Sequence, residues 1–187
     1  MEVYYNLEKS KTKTAVALGF FDGVHIAHQK IIEKTVKYSK NGIKPCVLTF
    51  SQNPRAVVEN VRLDLITTNK QKLEIMKNMG VEAVYMLDFV AMRELSPEDF
   101  VSKILHDTLN AKAVFCGFNY RFGNRGLGNT DTLKELCKSF DIEVYAEPPV
   151  MYKQKPISST RIRMAIKNKD FELVNDVLIK NKMHKFN

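Results

Sequence analysis

The amino-acid sequence predicts an α/β fold, a Rossmann-like three-layer α/β/α arrangement around a parallel sheet. Three observations carry this expectation. Apolar runs of strand length alternate from end to end with segments whose apolar residues recur at helical spacing. The runs are apolar throughout, as in strands covered on both faces. Segments rich in Gly and polar residues follow the first, second and fourth runs, and sheets of this kind bind ligands beyond the carboxyl ends of their strands.

The elements follow in order. Ala15–Phe20 (AVALGF) is the first expected strand, and His28–Ser39 the first helix, with Ile31, Ile32 and Val36 on one face. Cys46–Phe50 is a second strand, Asn69–Met79 a helix stopped by Gly80, and Val81–Leu87 a third strand. Ser96-Pro97-Glu98-Asp99 is a helix start, with Ser as N-cap, Pro at the first position and acids in the first turn; Phe100, Ile104 and Leu105 carry that helix to about Leu109. Ala111–Gly117 is a fourth strand, Asn119 to Asn129 a loop, Thr130–Phe140 a helix and Ile142–Tyr145 a fifth strand. Ser158 or Ser159 caps a helix reaching about Lys167, and Phe171–Ile179 forms another.

Composition narrows the class. The chain has 187 residues, a one-domain length, with 44% hydrophobic and 27% charged residues. The longest apolar stretch, Ala15 to Phe21, is far short of the ~20 residues that span a bilayer. The N-terminus shows no basic region followed by an apolar one, so no secretory signal is expected. Three cysteines, Cys46, Cys116 and Cys137, without CxxC spacing argue for reduced thiols in a cytoplasmic setting and against a disulfide framework or zinc site. The net charge of +8 favours anionic partners. The basic residues are spread from Lys9 to Lys185 with no aromatic-interleaved stripe, so neither nucleic acid nor membrane is an expected partner; oligomeric state is not readable.

Three motifs carry chemistry. Gly19-Phe20-Phe21-Asp22-Gly23-Val24-His25-Ile26-Ala27-His28 lies at the first strand-to-helix turn. Its glycines let the backbone approach a ligand, the helix start offers free N–H groups to an anion, and His25 and His28 share one side of the first turn. No Walker A or GxGxxG pattern occurs, and no third His or Cys stands at metal-ligand spacing, so no protein-bound metal is expected. Ile157-Ser158-Ser159-Thr160-Arg161-Ile162-Arg163 offers hydroxyls at a helix start and two guanidinium groups, a polyphosphate site or, equally plainly, an ordinary N-cap with solvated arginines. Gly117-Phe118-Asn119-Tyr120-Arg121-Phe122-Gly123-Asn124-Arg125-Gly126 suits a planar phosphorylated ligand, or is a mobile connection whose aromatics cap the sheet edge.

In combination these segments are more specific. GFFDGVHIAHQ, LTFSQNPR, GFNYRFGNRGLGN and ISSTRIR resemble, in order and spacing from about Ala15 to Leu178, the FAD synthetase (FMN adenylyltransferase) domain of bacterial bifunctional riboflavin kinase/FAD synthetases, within the HxGH nucleotidyltransferase superfamily. The resemblance implies the reaction FMN + ATP → FAD + pyrophosphate, with Mg²⁺ carried by ATP. It places His25 and His28 at the ATP phosphates. Ser158, Ser159, Thr160 and Arg163 lie on the triphosphate side with Gly19, Phe20, Phe21, Asp22, Gly23 and Gly117, while Asn119 stands between the two substrates. Asn53, Pro54, Arg55, Arg121 and Phe122 fall on the FMN side. The implied catalytic set is His25, His28, Asn119 and Arg163.

The chain departs from the family pattern in places. Ala27 stands where the superfamily has Gly, Phe20 where many members have Asn, and Ser51-Gln52-Asn53-Pro54 replaces an Asp-Pro-His-Pro-like run. The expectation is a single FMN adenylyltransferase-like domain over residues 1–187, without the family's C-terminal riboflavin kinase barrel. The alternatives are a non-catalytic flavin or nucleotide regulator, and a nucleotidyltransferase with another phosphorylated acceptor.

Overall fold

Six strands form one parallel sheet: β1 (Glu2–Tyr4), β2 (Thr14–Leu18), β3 (Lys44–Phe50), β4 (Ala83–Leu87), β5 (Ala111–Gly117) and β6 (Glu143–Glu147), ordered β1-β4-β3-β2-β5-β6. The computed structural model of the chain describes residues 1–40 and 42–178. β2 sits in the middle and is buried at every position. Its side chains alternate between layers, as strand geometry requires: Ala15 and Ala17 face one core, Val16 and Leu18 the other.

The first core is closed by α1 (Ile26–Tyr38) and, after the short α2 (Pro54–Glu59), by α3 (Asn69–Asn78), through Ile31, Ile32, Ile75 and Met76. The short α4 (Phe89–Met92) leads toward the opposite layer, which is closed by α5 (Pro97–Asp99), the π-helical turns it runs into at Phe100–Thr108, and α6 (Thr130–Lys138). Each fully buried aliphatic side chain such as Leu18, Ile32, Leu48 or Leu105 stabilises the fold by about 1.5–3 kcal/mol. A hairpin of β7 (Met151–Tyr152) and β8 (Lys155–Pro156) follows β6, then α7 (Ser159–Lys167) and α8 (Phe171–Val177), which share a third cluster built on Ile162, Val174 and Val177. Among the described residues no helix is long and apolar enough to cross a membrane.

The expected α/β/α class and the order of its main strands and helices hold. The sheet has six strands where five were expected. β1 is only three residues long and half-exposed, so it lacks an apolar run; it pairs with β4 through Glu2–Ala83 to Tyr4–Tyr85. The helix after Ser96 keeps its expected cap, with Asp99 N donating to Ser96 Oγ at 3.0 Å, but widens into π turns; Leu109 N donates to Ile104 O at 2.9 Å, five residues back. This winding keeps Phe100, Val101, Ile104 and Leu105 all in the core. The stretch expected to be extended after Pro149 is a hairpin, turned by Lys153 and Gln154 at φ 46° and 60°, the left-handed pair of a type I′ turn. The last expected helix ends at Val177; Ile179 and Lys185, which the expectations included, lie outside the described residues.

Candidate active site

The strand order reverses direction between β2 and β5, so their carboxyl ends part and leave a crevice there. A cavity of about 360 Å³ fills it. Its walls come from the turn after β2 (Gly19, Phe21, His25, Ala27, His28), the loop after β5 (Gly117, Phe118, Asn119, Tyr120), the segment after β6 (Glu147 to Val150) and the start of α7 (Ile157, Ser158, Ser159, Thr160).

The turn after β2 is held under strain. Phe21 (φ 56°) and Val24 (φ 36°) are left-handed non-glycine residues, and such positions cost of order 1–3 kcal/mol each. Gly23 has φ +80°, and a Cβ there would stand 3.0 Å from Ile66 Cγ2. Asp22 fixes the turn. Its buried carboxylate accepts from Ile66 N at 3.0 Å and Thr67 N at 3.2 Å, and pairs with the Arg163 guanidinium. Its carbonyl accepts from Ser159 Oγ at 3.0 Å, and Thr67 Oγ1 accepts from Gly23 N at 3.0 Å. The start of α7 is thereby pinned to the start of α1.

The two histidines stand where the strained turn becomes helix. His25 is the N-cap of α1: its Nδ1 accepts from His28 N at 3.4 Å, which leaves the ring proton of the neutral imidazole on Nε2. The rings stack with centroids 3.6 Å apart and planes at 17°, and Phe21 meets His28 edge-on at 5.2 Å. Burial pushes His25 down to about 4, and burial, then His25, then Lys72, push His28 well below its ordinary value, so both are neutral near pH 7. His25 Nε2 and His28 Nδ1 are buried without a protein partner. A buried donor left unpaired is costly, and it suits a ligand acceptor. Ser158 caps α7 by accepting from Arg161 N at 3.2 Å, so the backbone N–H groups at the start of that helix open on the same cavity.

Nine expected site residues line the cavity: Gly19, Phe21, His25, His28, Gly117, Asn119, Ser158, Ser159 and Thr160. The others stand elsewhere. Asp22, Gly23 and Arg163 form the brace just described, with Arg163 Nε also donating to Asp64 O at 2.9 Å. Arg161 is committed to the carbonyls of Tyr152 at 2.9 Å and Lys155 at 2.8 Å, holding the hairpin. Phe20 packs beneath Lys72. Phe122 is a core side chain against Phe100, 5.2 Å between ring centroids, and Arg121 is exposed beside it. Asn53 caps α2 by accepting from Arg55 N at 3.0 Å, Pro54 opens that helix, and Arg55 pairs with Glu59 at 2.8 Å. Lys72 and Thr67 escaped the sequence reading. Lys72 shares the buried face of α3 with Ile75 and Met76, and a lysine on an apolar helical stripe was the available signal.

A six-stranded parallel sheet flanked by helices, with a cavity at its switch point, is an α/β fold of the nucleotidyltransferase-like type. A model of the FAD synthetase family matches residues 7–161, and the chain belongs to that family. It is 35% identical over 168 residues to a bifunctional riboflavin kinase/FMN adenylyltransferase of Listeria monocytogenes, covering 87% of this chain and 52% of that protein. It is 32% identical over 178 residues to the Buchnera aphidicola enzyme of the same description (subsp. Schizaphis graminum), covering 93% and 57%. A FAD synthetase of Listeria monocytogenes is 29% identical over 91% of this chain and 70% of its own length. The chain thus spans a little over half the length of the bifunctional relatives. Among solved structures, one described as a macrolide-efflux protein from Streptococcus pneumoniae superposes with a TM-score of 0.84 at 30% identity, over 94% of this chain and 68% of that one. A pantoate-beta-alanine ligase from Francisella tularensis, 14% identical with a TM-score of 0.56 over 92% of this chain and 78% of its own, shares the fold alone.

Proposed function

We propose that residues 1–187 act as one FMN adenylyltransferase-like unit that transfers AMP from ATP to FMN. The observation that carries this reading is the unpartnered, buried Nε2–H of His25 at the meeting point of two helix N-termini. In the reaction, an FMN phosphate oxygen attacks the α-phosphorus of ATP in line, the bond from that phosphorus to the bridging oxygen breaks, and pyrophosphate leaves. No enzyme nucleophile is required. Positioning and charge stabilisation do the work.

His25 Nε2–H donates to oxygen on the α-phosphate, and His28 lies stacked against it to serve the same group. The backbone N–H groups at Ser159 and Thr160 and the Thr160 hydroxyl hold the departing phosphates, the Ser159 hydroxyl being given to the Asp22 carbonyl. Asn119, on the opposite lip, orients the incoming phosphate. Arg163 reaches the pyrophosphate only by exchanging Asp22 for it, and otherwise acts as the brace. Mg²⁺ brought in with ATP would supply charge neutralisation at the phosphates; among the described residues no cluster of three or more His, Cys, Asp or Glu side chains could hold it. The flavin side rests on Asn53, Pro54, Arg55, Arg121 and Phe122, of which Phe122 acts through packing. A cytoplasmic setting suits the three buried thiols, each pushed up to about 12 by burial.

The test is pyrophosphate release with MgATP and, in turn, FMN, phosphopantetheine, nicotinate nucleotide or a polyol phosphate. FMN alone should yield product, identified as FAD. Turnover with another acceptor but not FMN overturns the substrate assignment, and tight nucleotide binding without any pyrophosphate overturns catalysis.

A further inference from the structure

Lys72 reaches from α3 to the back of the site and is only 2% exposed. Its Nζ donates to Phe20 O at 3.2 Å and Phe50 O at 3.2 Å, with Thr49 Oγ1 at 3.4 Å, and lies 4.3 Å from the centre of the Phe20 ring. Thr49 Oγ1 itself donates to Phe20 O at 3.0 Å, so that carbonyl accepts twice. Phe50 closes β3, and Phe20 lies two residues past the end of β2. The ammonium therefore ties two strand ends together beneath the strained turn. Among the described residues no carboxylate is paired with it; the acid that acts on it, Asp22, is occupied by Arg163. An apolar side chain of the same length would fill the space without the expense of burying a charge. A buried charge at that cost, bonded to the carbonyl ahead of the turn, points to the site that it supports.

We propose that Lys72 is a positioning residue: its buried ammonium fixes the Phe20 carbonyl, and with it the Phe21–Val24 turn that presents His25 and His28, while holding positive charge behind the phosphate mouth. The inference rests on the nucleotidyl-transfer reading of that mouth. The charged and titratable groups facing Lys72 are Asp22 from the turn and His28 from α1, with His25 stacked beyond. Lys72 opposes a proton on His28, adding to burial and to His25. Burial draws Lys72 itself down to about 8.

Lys72→Met and Lys72→Gln in the full chain separate this role from simple packing. In Lys72→Met, kcat should fall about 10²-fold, the size expected when a misplaced group spoils alignment, with KM for ATP changed only a few-fold. Nitrogen-15 NMR of the histidine rings should show His28 taking up its proton at higher pH in both variants. Lys72→Gln, still a donor to the carbonyls, should recover part of kcat but none of the titration shift. Folded variants with near wild-type kcat, or with an unchanged His28 titration, overturn the proposal. If neither variant folds, the wild-type protein with carbon-13-labelled lysine decides: His28 ring signals must move over the interval near pH 8 in which Lys72 titrates, and independent titrations overturn the proposal. Wild-type protein that forms no FAD defeats the function reading alone, and the His28 titration then still judges Lys72.

Discussion

His25 and His28 lie face to face, 3.6 Å between ring centroids, and the only polar link between them runs from the backbone N–H of His28 to Nδ1 of His25. One contact thus caps a helix, fixes a tautomer and turns the remaining ring N–H toward the cavity. Capping and phosphate binding use different nitrogens of the same ring, so they are separable by substitution.

His25→Asn keeps a side-chain acceptor at the cap and removes the Nε2 donor. Stability should change by less than about 1 kcal/mol. Turnover should fall about 10²–10³-fold, the usual loss when one preorganised donor to developing charge is removed. His25→Ala should lose the cap as well, about 1 kcal/mol more. Urea unfolding and pyrophosphate release measure the two effects. Full turnover by the Asn variant would remove His25 from the reaction.

Both imidazoles titrate lower in the folded chain than in the unfolded one, His25 at about 4 against 6.5. Between these values the unfolded chain binds more protons, so stability rises with pH through that window and is lost as pH falls below 6.5. The slope is up to about 1.4 kcal/mol per pH unit for each histidine. Urea midpoints should drop from pH 7 to pH 5, and the drop should shrink in a His28→Ala variant. An identical slope in that variant would rule out His28 as a buried neutral group.

Asp22→Asn keeps an oxygen for Ile66 N and Thr67 N but strips Arg163 of its counter-charge. Breaking a buried pair from one side costs about 3–5 kcal/mol; the lower end is expected because the Arg163 side chain remains 20% exposed. The same change frees the guanidinium for a triphosphate, so KM for ATP should hold or fall while the melting temperature drops. A variant as stable as the wild type would show that Asp22 is no brace.

Much of this was legible in the residues. Val16 and Leu18 alternating with Ala15 and Ala17 announce a strand with two buried faces, and Ser96-Pro97 announces a helix start, because these patterns act locally. The pairing of HIAH with ISST was legible as a motif combination, and both line one cavity. The partners of the arginines were not. Nothing local distinguishes Arg161 and Arg163 poised for a ligand from Arg161 gripping a hairpin and Arg163 gripping Asp22, since those acceptors belong to other elements. Phe122 likewise looks like a ligand-facing aromatic until the bridge to Gly128, N to O at 3.1 Å and 2.9 Å, turns it inward.

The brace between Asp22 and α7 joins positions 137 and 141 residues apart in sequence. As the chain leaves the ribosome, the imidazoles emerge well over a hundred residues before their opposite wall. A nascent chain that stops before Ser158 carries half a mouth and has nothing to close around a triphosphate. Nucleotide capture can therefore serve as a readout of the closed brace, and contacts of such long sequence separation carry a loop-closure cost that delays their formation.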